Sequence, residues 1–149
     1  MEAYFQTTSE VAVTALQSEN GCESIGMAET LPTGCSGAYI ALLSPDIQMQ
    51  IGIAATGDNC RQLAASLMYM EPDDPELDDS VMTDALGEIV NIIAGALKQK
   101  MDDRYSGLTL GLPMMIHGHI QANDRQQLSI QTIKVGDTES HIVLLMDKG

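Results

Sequence analysis

The alternation of hydrophobic and polar residues predicts a chain that begins with a helix and continues as strands. Residues 2–18 space their apolar side chains as an amphipathic helix does, and this helix is expected to end before Asn20-Gly21. Residues 46–53 alternate polar and apolar positions, which indicates a strand with one buried face. Strand-like patterns occur at residues 23–29, 38–43 and 47–55.

The middle of the chain is predicted to form two more helices separated by an acidic loop. Thr56-Gly57-Asp58 indicates a turn with a good N-cap, and the helix after it is expected to close near Met70. Residues 71–79 contain two prolines and a run of carboxylates, and negative charge is favourable at a helix N-terminus. Because this loop lacks the glycine-bearing pattern of a Ca²⁺ loop, we interpret it as a helix start and not as a metal site.

Further strands are predicted after the long helix, with Gly136-Asp137 as a hairpin turn. They cover residues 108–112, 114–122, 127–135 and 141–146. This order of elements is typical of an α+β fold in which an N-terminal helix, a short helix and one long helix cover a mostly antiparallel sheet. A length of 149 residues fits a single domain over residues 1–149.

The long helix separates into an apolar face and a polar stripe, and the stripe is the candidate site. At about 100° per residue, one side of the helix gathers the apolar residues and faces a core. These residues are Val81, Met82, Ala85, Leu86, Ile89, Ile93, Ala96 and Leu97. The opposite line follows a 4-3-4-3 spacing and consists of Asp84, Glu88, Asn91, Gly95 and Lys98.

Gly95 makes this stripe unusual. A glycine in the middle of a helix costs about 1 kcal/mol relative to alanine, so it calls for a packing or functional reason. One interpretation is a solvated helix face on which the glycine is incidental. The other is a bare patch beside Asn91 that lets the surface of another protein approach closely.

Composition excludes several classes of partner. The chain has 21 acidic and 7 basic residues, a net charge of −14, and therefore no basic surface for nucleic acid or an anionic membrane. The N-terminus lacks the basic region of a secretory signal, and we find no window of about 20 apolar residues for a membrane span. A cytoplasmic protein is expected.

Other candidate chemistry is weak. The cysteines, Cys22, Cys35 and Cys60, lack CxxC spacing and are interpreted as free thiols, and a nucleophilic Cys60 has only Arg61 close by in sequence. His117 and His119 share one face of a strand and could begin a metal site, but no third ligand is evident. Hydrolase and nucleotide-binding motifs are absent from the sequence, so any chemistry is expected to be completed by a partner.

The run Asp84-x3-Glu88-x2-Asn91, followed by Gly95-x2-Lys98 and then Pro113, resembles the signature of the CheC/CheX chemotaxis phosphatase family. The resemblance extends over roughly residues 3 to 146. It departs from the usual pattern at one point: 21 residues lie between Asn91 and Pro113, one fewer than in the family's usual pattern. CheC-type members carry two such helices, but the first helix here offers Glu10-x2-Val13, so the chain resembles the single-site CheX type.

The resemblance implies a function and roles for residues. The family dephosphorylates the phosphoaspartate of CheY-type receiver domains. By resemblance, Asn91 orients the attacking water, Glu88 pairs with the receiver's active-site lysine, and Asp84, Gly95 and Lys98 contact the partner. The protein would hold no cofactor of its own, since the Mg²⁺ belongs to the receiver, and a homodimer is possible.

Physical chemistry agrees with this interpretation, although an alternative stays open. Phosphoryl transfer to water requires in-line positioning more than covalent help, and a carboxamide can donate and accept hydrogen bonds without becoming charged. The alternative is a receiver-binding or flagellar-switch-like adaptor that does not accelerate hydrolysis. The presence of both Glu88 and Asn91 favours the phosphatase.

Overall fold

A computed structural model describes residues 22–102, 107–118 and 120–147 of the chain. The helix predicted over residues 2–18 lies outside these ranges, as does His119. The described residues form an α+β fold in which two helices pack on an antiparallel sheet. The predicted fold class is therefore confirmed.

Seven strands and two helices make up this part of the chain. The strands are β1 (Cys22–Ala28), β2 (Cys35–Leu43), β3 (Gln48–Thr56), β4 (Thr109–Leu110), β5 (Met114–His117), β6 (Gln126–Val135) and β7 (Thr138–Asp147). The helices are α1 (Gly57–Met68) and α2 (Asp79–Met101). β6 and β7 form the predicted hairpin, with Gly136 at φ 59° in the two-residue turn between Val135 and Thr138.

The sheet has the order β1-β6-β7-β3-β2-β4, and β5 also pairs with β2. All strand pairs are antiparallel within the described ranges. β4 and β5 thus share one edge of the sheet and are separated by Gly111, Leu112 and Pro113. Two of the predicted strands, 108–112 and 114–122, are too long for this edge.

Backbone chemistry explains why these edge strands are short. Gly111 still donates its amide hydrogen to the carbonyl of Ala41 at 2.9 Å, but Pro113 has no amide hydrogen to continue the ladder. At the far end of β5, Gly118 has a φ of 114°, a conformation that suits glycine, and the strand ends there.

Hydrophobic side chains cover both faces of the central sheet. The larger cluster lies between the sheet and the helices, and its most buried members include Leu42, Ile51, Ile93 and Leu97. A smaller cluster on the opposite face contains Leu31, Cys35, Tyr39, Ala54, Ile130 and Val143. Gly52 is required there, because a Cβ atom at that position would collide with the ring of Tyr39. β3 accordingly alternates only at its start and is buried on both faces further along.

α1 follows β3 directly, and both of its ends differ from the prediction. Thr56 is both the last residue of β3 and the N-cap residue of α1, so no separate turn lies between strand and helix. The side chain of Thr56 makes no capping hydrogen bond. The helix ends at Met68 because Tyr69 adopts a left-handed conformation at φ 55°. Glycine or asparagine usually occupies such a position, and tyrosine there gave no signal in the sequence.

The acidic loop leads into the start of α2, as the sequence predicted. Asp78 is its N-cap, and the carboxylate accepts a hydrogen bond from the amide of Val81 at 2.9 Å. The side chain of Arg61 holds the preceding loop, since its guanidinium donates to the carbonyls of Pro72 and Leu77 at 2.9–3.2 Å. The entry to the long helix is thereby tied to α1.

The buried face of α2 is wider than its periodicity predicted, because Val90 and Ala94 are also fully buried. By length and composition this helix could cross a membrane, which corrects the expectation that no such window exists. Most of its apolar side chains pack in the core between the sheet and α1, whereas Ile92 is exposed. Packing within the domain therefore explains most of the hydrophobicity of α2.

Candidate active site

A groove of about 330 Å³ runs between the outer side of α2 and the segment that begins β5. It is lined by Ala38, Thr83, Asp84, Gly87, Glu88, Asn91, Pro113, Met114 and Met115. α2 thus forms one wall of the groove, and Pro113 with the start of β5 forms the other, beside Ala38 of β2. The groove brings together Asp84, Glu88 and Asn91 of the predicted site and the proline predicted as part of the same signature.

Gly87 allows the two walls of the groove to approach each other. A Cβ atom at this position would lie 3.4 Å from Cβ of Pro113, which is already van der Waals contact. Any longer side chain would have to displace the proline. Gly87 was not predicted as a site residue, although a second glycine within the same helix was the available signal in the sequence.

Glu88 and Asn91 are exposed and lie one helical turn apart on the groove side of α2. Positions three residues apart on a helix place their Cβ atoms at about 5–6 Å, so one partner group can contact both side chains. Neither side chain takes part in a hydrogen bond or ion pair within the described part of the chain. Ile89 and Val90 beside them are fully buried, so the backbone that carries both groups is fixed by the core.

The three predicted partner-binding residues have different surroundings. Asp84 is exposed and lines the groove one turn before Glu88. Gly95 lies further along α2, outside the groove, and a Cβ atom there would meet nothing within 4 Å. Lys98 forms an ion pair with Asp102 at 3.7 Å, with both side chains partly exposed. The structure therefore groups Asp84 with the central pair and leaves Gly95 and Lys98 beyond it.

The open space at Gly95 shows whether tight packing explains this glycine. Tight packing of this glycine against its own chain would have explained its presence structurally, but no described residue lies within 4 Å of a Cβ atom built there. Since a helical glycine is intrinsically unfavourable, its presence has no explanation within the described fold.

Cys60 and His117 make contacts away from the groove. Burial raises the pKa of the Cys60 thiol to about 11, and its Sγ lies 3.4 Å from the carbonyl oxygen of Ala55. The guanidinium of Arg61 is bound to the loop before α2, so it does not activate this thiol. His117 shares a 2.7 Å hydrogen bond with the hydroxyl of Ser36 through Nδ1. No cluster of three metal-ligating side chains occurs among residues 22–102, 107–118 and 120–147.

The groove offers two carboxylates, one carboxamide and an apolar floor. The carboxamide can hold a water through its oxygen or its NH₂ group, and the carboxylates can bind a cation or a donor on a partner. No lysine or arginine occurs among the described residues that line the groove, so Asp84 and Glu88 are not neutralised by a neighbouring side chain of that lining.

Five groove residues were not predicted from the sequence: Ala38, Thr83, Gly87, Met114 and Met115. Met114 and Met115 reach the helix only through the pairing of β5 with β2, a contact between distant parts of the chain. Residue spacing within one helix cannot reveal such a neighbour, and only Pro113 in the signature pointed to this segment.

Comparison with known proteins assigns this arrangement to a family. The sequence model of the family described as "Chemotaxis phosphatase CheX" matches residues 38–134, a range that contains every residue lining the groove. A search of curated proteins found no match to the sequence.

Solved structures share the fold over nearly the whole chain. Chemotaxis protein CheX from Vibrio vulnificus has a TM-score of 0.78 and 13% identity, covering 97% of this chain and 99% of its own. CheX from Borrelia burgdorferi, solved in a complex with CheY, BeF3 and Mg²⁺, has a TM-score of 0.76 and 20% identity, with 97% of each chain covered. A CheC-like superfamily protein from Shewanella sp. PV-4 has a TM-score of 0.72 and 16% identity, also with 97% of each chain covered.

Proposed function

The chain belongs to the CheX family of chemotaxis phosphatases, and on that premise we propose that it accelerates hydrolysis of the phosphoaspartate on a CheY-type receiver domain. The observation that carries the proposal is the exposed Asn91 carboxamide, placed in the groove beside Glu88 on a helix whose other side is buried. The complex of the Borrelia burgdorferi CheX with CheY supports a receiver as the class of partner.

Asn91 is proposed to orient the attacking water. Its side-chain oxygen accepts a hydrogen bond from the water and so directs the lone pair of the water oxygen at phosphorus. The new P–O bond forms as the bond to the aspartate oxygen breaks, and the products are a carboxylate, inorganic phosphate and a released proton. Because the transition state is loose, positioning supplies most of the acceleration and no nucleophile on this chain is needed.

Glu88 is proposed to hold the receiver in register. Its carboxylate lies one turn from Asn91 and has no partner within the described residues, so it is available to the active-site lysine of the receiver. Asp84 extends the same negative line within the groove. The Mg²⁺ that neutralises the phosphoryl oxygens is proposed to belong to the receiver, and with such a partner the protein would act in the cytoplasm, as a monomer or a homodimer.

A phosphate-release assay tests this proposal. The receivers of the source organism are phosphorylated with a small-molecule phosphodonor, and the lifetime of the phosphoaspartate is measured with and without the protein. A phosphatase shortens the lifetime catalytically, at substoichiometric amounts. If a receiver binds and its lifetime is unchanged, the protein is the adaptor considered as the alternative, and the catalytic proposal is wrong.

A further inference from the structure

Two exposed hydrophobic residues, Leu112 and Met114, flank Pro113 in the chain, and Pro113 and Met114 line the groove. The side chain of Leu112 is 87% exposed and that of Met114 is 58% exposed, so both remain largely in contact with water. We refer to Leu112 and Met114 together as the lip. Exposed single hydrophobic residues are common, but two that adjoin one functional groove indicate a surface that a partner covers.

The fold holds the lip in place. On one side Gly111 is hydrogen bonded to Ala41, and on the other Met114 pairs with Tyr39 in β2. Between them Pro113 lies close to α2, since a Cβ atom added at Gly87 would be 3.4 Å from Cβ of Pro113. Met114 itself lines the groove together with Glu88 and Asn91. A partner that presents a group to Asn91 must therefore pass close to Met114.

We propose that the lip is the hydrophobic docking element for the phosphorylated receiver and that it contributes to the choice of receiver. The inference rests on the proposed function, because it assigns the occupant of the same groove. Charge supports this occupant, since the described lining of the groove contains Asp84 and Glu88 but no lysine or arginine, and such a groove fits a partner whose active site presents a lysine.

Charge alone would select poorly between receivers. A carboxylate attracts any exposed ammonium group, and its contribution falls as salt rises. Apolar contact adds a requirement for matching shape, and an aliphatic anchor at the centre of an interface can account for much of its affinity. Receivers that share the active-site lysine but differ in the hydrophobic residues around it would then differ in affinity.

The test compares lip variants with a matched control. Leu112→Ser and Met114→Gln remove apolar surface at the lip. Met27→Gln makes the same change on β1, where Met27 is 63% exposed at the opposite edge of the sheet. The probe is a CheY-type receiver of the source organism loaded with beryllofluoride and Mg²⁺, and Kd is measured by titration. KM and kcat are measured with the phosphorylated receiver, and melting temperatures verify folding.

We expect each lip variant to raise Kd and KM by about tenfold, the effect of losing most of one buried apolar side chain, with kcat at saturation within about twofold of wild type. Met27→Gln should leave both constants unchanged. An unchanged Kd in folded lip variants overturns the inference. If the oligomeric mass of those variants also differs from that of wild type, the lip is instead a contact between copies of the chain.

The two proposals fail in distinguishable ways. If the protein does not shorten the phosphoaspartate lifetime, the catalytic proposal fails, while the Kd comparison with the beryllofluoride-loaded receiver still tests the lip. If Asn91→Ala abolishes activity and the lip variants bind normally, the phosphatase stands and the docking role is wrong.

Discussion

At the scale of single residues, Glu88 and Asn91 place different demands on a partner. A carboxylate is an acceptor that attracts a cation at a distance, whereas a carboxamide is neutral and acts only within hydrogen-bonding reach. Glu88 is therefore suited to association, and Asn91 to the chemical step. Both are exposed, so removing either side chain should leave the core unchanged.

Asn91→Ala should lower kcat for phosphate release by about 10²-fold to 10³-fold, because a positioned hydrogen-bonding group contributes that much when it acts in the transition state. The melting temperature should stay near that of wild type. The matched control is Gln99→Ala, which removes an exposed carboxamide from the same helix outside the groove. A variant at Asn91 with near-normal kcat would show that another group orients the water.

Glu88→Ala should weaken receiver binding, and Glu88→Lys should weaken it further through repulsion of the receiver's lysine. The difference in receiver affinity between wild type and Glu88→Ala should become smaller as ionic strength rises, because salt screens the attraction between Glu88 and the receiver's lysine. Titrations at low and high salt measure this difference. Glu76→Ala controls for net charge, because Glu76 is an exposed acid in the loop before α2 and does not line the groove. Equal effects of the two alanine variants would count against a specific pairing of Glu88.

At the scale of elements, the sequence predicted α2 and its polar stripe well because both depend on local spacing. The stripe separated Asp84, Glu88 and Asn91 from a core face, and the structure places all three in the groove. The sequence did not predict the other wall. That wall depends on the register of β5 on β2, which is set by contacts between distant segments.

The errors in strand and helix ends have the same origin. Residues 108–112 and 114–122 carry strand-like patterns, but Pro113 has no amide hydrogen for the ladder, and β5 ends after four residues where Gly118 adopts a positive φ. Tyr69 ends α1 two residues before the predicted end through a left-handed conformation that tyrosine rarely adopts. Backbone conformation at single positions, and not hydrophobic periodicity, decides each of these boundaries.

Gly95 permits a test of whether α2 gives up stability for function. Gly95→Gln should raise the melting temperature, because glutamine favours helix by several tenths of a kcal/mol or more and its Cβ meets open space. If a receiver packs against this bare surface, the same variant should bind more weakly and turn over more slowly. Calorimetry and the phosphate-release assay on one preparation compare the two effects. Raised stability with unchanged activity would identify the glycine as incidental.

At the scale of the whole molecule, a sheet covered on both faces buries polar groups as well as hydrophobic ones. His141 in β7 is 5% exposed, and its Nδ1 shares a 3.0 Å hydrogen bond with the hydroxyl of Thr132 on β6. Burial lowers the pKa of His141 below its ordinary value of 6.5, and the nearby Glu139 opposes this shift. The folded state therefore binds a proton at this site less readily than the unfolded chain.

This difference predicts a loss of stability in mild acid. A histidine whose pKa is lower in the folded state stabilises the fold fully above its unfolded pKa, and that contribution falls as pH drops below about 6.5. Urea unfolding at about pH 7.5 and about pH 5.5 measures the change in free energy of unfolding. His141→Gln should reduce the change relative to wild type, while carboxylate titration affects both proteins alike. An identical pH dependence in the two proteins would contradict the assignment.

The interrupted edge formed by β4 and β5 has a consequence for temperature. Among the strands that the structure describes, these two pair with β2 alone, whereas β3 and β7 each have neighbours on both sides, so the edge is expected to open before the sheet unfolds. Amide hydrogens of Met114–His117 should accordingly exchange with deuterated water sooner than those of Ile51–Ile53. Because one wall of the groove belongs to this early-opening segment, warming should inactivate the protein several degrees below its melting temperature. Along one heating ramp, turnover should then fall at a lower temperature than the circular dichroism signal. Local opening of this edge, and not global unfolding, would limit the working temperature.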